Sequence, residues 1–221
     1  MIDFAAARRI MVDCQVRPSD VTDLNVIEAM LAVPREAFLP QTQRAIAYLD
    51  VDILVGFPNN QNRHLMAPAA LARLLQAAEI APSDRALVVG CAFGYAAALV
   101  SRLAGHVTAI DTDAERIAAA GMTLATLGYR TISTAATQHA QGDAVTTPYD
   151  VIVLAGATEI EPLHLYSQLA PQGRLVGVFA TRRPLRAMLV TRSHNGFGNR
   201  ALFDATASVI PGFEKPPAFV F

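Results

Sequence analysis

The sequence is sparing in the residue types that mark the specialised protein classes. It has no tryptophan and two cysteines, and charged residues make up only 17% of its 221 positions. Cys14 and Cys91 lie far apart and have no metal-ligand neighbour at CxxC or CxxH spacing, so neither a disulfide framework nor a thiolate metal site is expected. The five histidines are scattered, without HExxH or paired spacing. Neither sign of charge is in excess: 18 Lys and Arg stand against 19 Asp and Glu, a formal net charge of -1, which argues against nucleic acid or an anionic membrane as the main partner. The longest uncharged apolar stretch, Ala86–Ser101, is interrupted by Gly90 and Gly94 and is shorter than the roughly 18–20 residues of a membrane span. No apolar block with a small-residue cleavage site follows the N-terminus, and the expected location is a reducing cytoplasm. No internal repeat is present.

What is there is apolar and periodic. Hydrophobic residues make up 52% of a chain long enough to bury a core without staples, which excludes a disordered or fibrous protein. The first fifty residues read as helices broken by turns, with Asp3–Gln15 and Val21–Leu31 carrying apolar residues at helical spacing. Gly56–Arg63 reads as a polar loop, and Pro68 opens a helix running to about Ala78. From Arg85 onward, strands at Ala86–Val89, His106–Ile110, Arg130–Ala135, Val151–Ala155 and Arg174–Phe179 alternate with helices at Tyr95–Leu103, Ala114–Leu127 and Pro162–Leu169. Ala187–Thr191 and Ala201–Ala207, separated by the Asn195-Gly196 turn, read as a closing hairpin. This is the pattern of an α/β fold: a mostly parallel seven-stranded sheet, Rossmann-like, with an N-terminal helical extension.

In such sheets ligands sit beyond the carboxyl ends of the strands, where strand order reverses. The first strand runs into Gly90-Cys91-Ala92-Phe93-Gly94 and a helix, and the second ends at Asp111, 21 residues beyond Gly90. Against the GxGxxG dinucleotide fingerprint, Ala92 and Tyr95 replace two of three glycines, so a pyrophosphate is disfavoured. No catalytic Tyr-x-x-x-Lys supports a dehydrogenase. A glycine turn, a helix start and a strand-end acid suit an adenosyl ligand without pyrophosphate, which points to S-adenosylmethionine. The bland alternative stays open: Gly90 and Gly94 as strand-to-helix turn residues and Asp111 as a helix N-cap.

The sequence resembles the protein-L-isoaspartate O-methyltransferase family over about residues 8–190. Val33–Pro40 (VPREAFLP) with Ala47–Asp50 (AYLD) is similar to an N-terminal signature, and Leu87–Tyr95 (LVVGCAFGY) to the glycine-rich cofactor motif. Pro148–Ile152 and Leu169–Val176 are similar to the fourth-strand and fifth-strand motifs, and the tail Phe219–Phe221 resembles a shorter bacterial branch. The resemblance implies methyl transfer from S-adenosylmethionine to a carboxylate of damaged aspartyl residues, with a protein or peptide as substrate. It divides the chain into an N-terminal helical extension with the substrate-side loop, residues 1–66, and a methyltransferase-like unit, residues 67–221. It places Gly90, Cys91, Ala92, Gly94, Asp111, Thr112 and Thr137 at the cofactor.

The chain departs from the family at two places. The family's Thr-Ile-Ser-x-Pro segment is His64–Pro68 (HLMAP) here, so His64 and Met66 stand at the acceptor-side positions, and Met66 has no proton to offer where the family has serine. His64 reads either as a substitute donor or as a solvated loop residue. The Gly-Asp pair that meets the adenine is Ala136-Thr137, and nearby Asp143 is not assigned its role. These departures leave an alternative: a catalytically impaired cofactor-binding or interaction protein on the same fold. Met11, Met30, Met122 and Met188 are expected in the core. Cys91 is either a reactive thiol at a helix start or a small buried loop residue. Arg182, Arg183 and Arg186 form a basic cluster, either a solvated turn or a contact for a peptide carboxylate.

Overall fold

Residues Ala86–Val89 carry no polar side chain, which suits a strand covered on both faces, and in the computed structural model they form the centre of the sheet. The structure describes residues 2–55 and 63–216. Strand β3 (Arg85–Val89) pairs in parallel with β4 (His106–Asp111) on one side and with β6 (Tyr149–Thr158) on the other. With β5 (Ile132–Ala136), β7 (Leu169–Phe179), β8 (Arg186–Ser193) and β9 (Gly196–Asp204), the seven-stranded sheet has the order β5-β4-β3-β6-β7-β8-β9. The five strands from β5 to β7 in that order are parallel, and β8 and β9 close the sheet as an antiparallel meander. The α/β, mostly parallel seven-stranded fold expected of the sequence is the one observed. The chain turns back across the sheet between β3 and β6, so a crevice is expected above their carboxyl ends.

The helices form where local chemistry allows. In α3 (Pro68–Ala77), Pro68 occupies the first turn, where its missing N–H costs nothing. α4 (Tyr95–Ser101) opens at Gly94, whose φ of 97° is the left-handed region that favours glycine. α5 (Ala114–Thr126) is capped by Asp113, whose carboxylate accepts from the amides of Glu115 and Arg116 at 3.1 Å. Asp113, not Asp111, is therefore the N-cap of α5.

Successive residues of β3 point to opposite faces and divide the core in two. Val88 packs with Leu71, Leu75, Ala97 and Val153, while Leu87 and Val89 pack with Ile110, Ile152, Leu154, Leu165 and Leu175. The N-terminal helices α1 (Phe4–Met11) and α2 (Leu24–Ala32) join the first cluster through Met11, Val26, Ile27 and Met30. Arg35 cements that junction. It is fully buried, donates to the carbonyls of Ala47 (2.7 Å) and Met66 (2.8 Å), and lies 4.7 Å over the Tyr95 ring.

The structure corrects several details. The first helix is α-helical only to Met11 and continues as a wider π-helical turn, Val12–Val16. On either side of the expected loop stands a two-stranded sheet, β1 (Ile53–Val55) against β2 (Arg63–Leu65), whose strands are too short to carry a periodic signal. Arg63 is the first residue of β2, while Gly56–Asn62 and the aromatic tail Phe219–Phe221 lie outside the described residues. Met11 and Met30 are fully buried and Met188 is half-buried, but Met122 is 67% exposed, because Ile117, Ala120 and Leu124 define the inward face of α5. Strand β9 ends at Asp204 rather than Ala207, because its pairing with β8 starts at the turn itself, Ser193 opposite Gly196.

Leu87 lies in the middle of β3 with no exposed surface. Leu87→Ala is expected to lower the unfolding free energy by about 2–5 kcal/mol with an unchanged denaturant slope, read by urea denaturation.

Candidate functional site

The carboxyl ends of β3 and β4 bring Gly90 and Asp111 together. Gly90 turns with φ 72° and Ala92 with φ 49°, so the chain rises from β3 through two left-handed residues. The amides of Gly90 and Cys91 donate to the carbonyl of Ile110 at 3.1 and 3.2 Å, which joins the turn to β4. The Asp111 side chain is completely buried. Its Oδ2 accepts the Ala92 amide at 3.2 Å, and its Oδ1 accepts the Asp113 amide at 3.2 Å. Oδ1 also receives Nε (3.3 Å) and Nη2 (3.2 Å) of Arg63, itself 3% exposed. The same Nη2 donates to the Thr112 hydroxyl at 2.5 Å. His139 completes the cluster: its Nε2 stands 3.7 Å from Asp111 Oδ2, and its Nδ1 lies 2.8 Å from the Pro211 carbonyl. A carbonyl only accepts, so Nδ1 carries a proton.

Burial alone would raise the Asp111 pKa. His139 and the Arg63 guanidinium outweigh it and hold the carboxyl at about 2. The folded value lies below that of an unfolded aspartate, so this contribution is present at neutral pH and lost as pH falls from about 4 toward 2. It is worth about 2–3 kcal/mol.

His64 lies on β2, half-buried; burial lowers its pKa, and Asp52 opposes that fall. Met66 follows the strand, 3% exposed, with its carbonyl held by Arg35. His64, Met66 and Gly90 meet around a cavity of about 20 Å³, lined also by Arg63, Asp52, Gly156 and the segment Ser208–Pro211. Thus Gly90, Cys91, Ala92, Asp111 and Thr112 gather at one place and His64 and Met66 border it. Thr137 joins through its backbone, its amide donating to the Asp111 carbonyl at 3.0 Å. Gly94 closes the turn, its amide donating to the Cys91 carbonyl at 2.9 Å; a Cβ there would meet Leu124 at 3.2 Å, so the glycine also lets α4 and α5 approach. Asp143 is engaged elsewhere, accepting from the Tyr149 hydroxyl at 2.6 Å and the Val145 amide at 3.0 Å.

Sequence reasoning missed Arg63, His139 and Ile210. The Ile210 side chain lies 3.1 Å from where a Gly90 Cβ would sit and 2.7 Å from that of Gly156, so it fills the space above the turn. Nothing local marks these residues; only their partners, distant in sequence, do. The cavity between His64, Met66 and Gly90 holds about one water. The strand-end residues are of the kind an adenosyl group needs, and among the described residues Arg63 already engages the Asp111 carboxylate.

Cys91 is fully buried, and burial, joined by the Asp111 charge, pushes its thiol well above the ordinary value, so it is a packed loop residue without thiolate character. Arg182, Arg183 and Arg186 are exposed and border a separate groove of about 430 Å³ with Glu161, Tyr166 and Phe179; Arg186 pairs with Asp204 at 3.2 Å. Among the described residues no cluster of three or more His, Cys, Asp or Glu is placed to hold a metal, and no helix is long and apolar enough to cross a membrane.

A family model described as Protein-L-isoaspartate(D-aspartate) O-methyltransferase matches residues 9–202. The chain is 37% identical over 201 residues to the protein-L-isoaspartate O-methyltransferase of Koribacter versatilis, covering 91% of this chain and 88% of that one. To its counterpart in Roseiflexus castenholzii it is 34% identical, covering 79% and 78%. A solved protein-L-isoaspartate O-methyltransferase superposes with a TM-score of 0.82 at 20% identity, over 93% of this chain and 66% of that chain's length. A Plasmodium falciparum protein described as a beta-aspartate methyltransferase in complex with S-adenosyl-L-homocysteine superposes with 0.77 at 16% identity, over 95% and 99%. At these identities the structural likeness speaks for the fold.

Two outcomes follow from the burial of Asp111 and Cys91. Asp111→Asn removes the counter-charge of a buried guanidinium and is expected to cost about 3–5 kcal/mol at pH 7, flattening the loss of stability between pH 4 and 2 in urea titrations. Alkylation of the native protein followed by mass spectrometry is expected to label exposed Cys14 and spare Cys91.

Proposed function

The chain belongs to the protein-L-isoaspartate(D-aspartate) O-methyltransferase family, and from that premise we propose that it is an S-adenosylmethionine-dependent methyltransferase acting on a carboxylate of damaged aspartyl residues in proteins, in the cytoplasm. The observation that carries the reading is the family match across 9–202. Supporting it, a buried acid stands at the tip of β4 beside the Gly90 turn. Residues 67–221 make up the methyltransferase-like unit, and residues 1–66 supply the N-terminal helical extension and the acceptor-side loop. Gly90, Cys91, Ala92 and Gly94 shape the cofactor turn, with Asp111, Thr112 and Thr137 beside it. His64 and Met66 border the acceptor.

A carboxylate acceptor is already ionised at neutral pH, so this chain needs no general base; its task is to align the reacting groups and keep water out. His64, its pKa lowered by burial, is neutral at pH 7 and presents one ring N–H and one acceptor nitrogen. Met66 contributes packing and no hydrogen bond to the acceptor side. The engagement of Asp111 by Arg63 favours a second reading, a catalytically impaired protein on the same fold.

Incubation with methyl-labelled S-adenosylmethionine and matched isoaspartyl and aspartyl peptides separates the two. The first reading expects base-labile methyl ester on the isoaspartyl peptide alone; cofactor binding without label on either peptide supports the second. Met66→Ser restores a hydroxyl donor and is expected to raise the transfer rate about ten- to a hundredfold, equivalent to roughly 1.5–3 kcal/mol.

A further inference from the structure

The turn at Gly90 and the acid at Asp111 are closed by the protein's own residues, and the closure has two parts that meet at His139. The first part is electrostatic. A carboxylate offers about four lone-pair positions. At Asp111 these are met by Arg63 Nε and Nη2 and the Asp113 amide on Oδ1, and by the Ala92 amide on Oδ2, which His139 also faces. Oδ1 is thus fully taken and Oδ2 half taken, so the two oxygens cannot both receive a pair of vicinal hydroxyls while Arg63 stays in place.

The second part is steric. Residues 208–213 run as a strap across the ends of β3 and β6. The strap is held like an added short strand: the Ala157 amide donates to the Ser208 carbonyl (2.8 Å), the Ile210 amide to the Ala157 carbonyl (2.9 Å), and the Glu159 amide to the Phe213 carbonyl (2.9 Å). Asp52 Oδ2 accepts the Ser208 amide at 2.9 Å, and Phe213 is fully buried. These anchors press the Ile210 side chain onto Gly90 and Gly156. His139 joins the two parts, with Nδ1 on the strap carbonyl of Pro211 and Nε2 toward Asp111.

We propose that Arg63 and Ile210 form an internal latch that sets how readily this protein admits its cofactor. In the latched state Arg63 stands where the ribose hydroxyls would meet Asp111, and Ile210 covers the Gly90 turn. In the open state both are displaced together, because His139 couples the strap to the acid. The inference rests on the reading of Asp111 and Gly90 as the cofactor site. Its thermodynamic content is that measured affinity equals intrinsic affinity reduced by the open fraction, so loosening either part tightens binding without adding a contact.

The test is calorimetric titration of the full chain with S-adenosylmethionine and S-adenosylhomocysteine, for the wild type, Arg63→Gln and Ile210→Ala. Ile210→Ala removes bulk over Gly90 and leaves the charge cluster intact, so it serves should Arg63→Gln fold poorly. Hydrogen exchange of the unmodified protein, at the amides of Ala157, Glu159 and Ile210, is followed in parallel. The latch predicts at least about tenfold tighter binding in each folded variant, about 1.4 kcal/mol, and loss of protection at those amides when cofactor saturates the wild type. Equal or weaker binding in the variants, with strap protection unchanged at saturation, overturns the latch and leaves the methyltransferase reading standing. No binding by any of the three folded proteins at millimolar cofactor overturns both, since releasing the closure would then have uncovered no cofactor site.

Discussion

The structure turns on one buried anion. Asp111 ends a central strand with no exposed surface, and an unpaired carboxylate there would be prohibitively costly to desolvate. The fold meets that cost by converging two backbone amides, a guanidinium and an imidazole on two oxygens. Each partner belongs to a different element: the Gly90 turn, the start of α5, strand β2 and the segment after β5. The Asp111 charge therefore ties together four elements at the carboxyl edge of the sheet. The same convergence that makes the acid affordable to bury also places Arg63 against it.

The small sheet β1–β2 matters for the same reason. Three-residue strands have little stability alone, and this pair is fastened at its Ile53–Leu65 end by side chains around it. Asp52 accepts the Ala67 amide at 2.8 Å and the Ser208 amide at 2.9 Å, joining the segment after β2 to the strap. Asp50 accepts the Ala69 amide at 3.0 Å, and Arg35 holds the Met66 carbonyl from the opposite side. The N-terminal extension thus acts as a clamp on the segment that carries His64 and Met66, with its apolar side sunk into the core shared with β3 and α4. Met66 suits that setting, since a buried thioether needs no hydrogen-bond partner.

Much of the architecture was legible in the residues. The apolar run Ala86–Val89 ending at Gly90, the helical stretch from Ala114 and the Asn195-Gly196 turn each encode structure within a few positions, and β3, α5 and the β8–β9 turn lie where those signals put them. The β1–β2 pair was not legible, because its strands are shorter than any periodicity. Met122 shows the limit of composition: its position on α5 was apparent, but which face turns outward depends on what packs beneath it.

Local patterning by itself determined the α/β alternation, the turn at Gly90 and the placing of an acid at the tip of the second parallel strand, because period, turn residues and caps act between neighbours. Only the tertiary structure decided what that acid would face. Arg63 reaches Asp111 from 48 residues away, and Asp52 anchors the strap from 156 residues away. Such pairings are set by the packing of whole elements, where the need to neutralise a buried charge and fill a space selects the partner, and no short-range pattern records that choice.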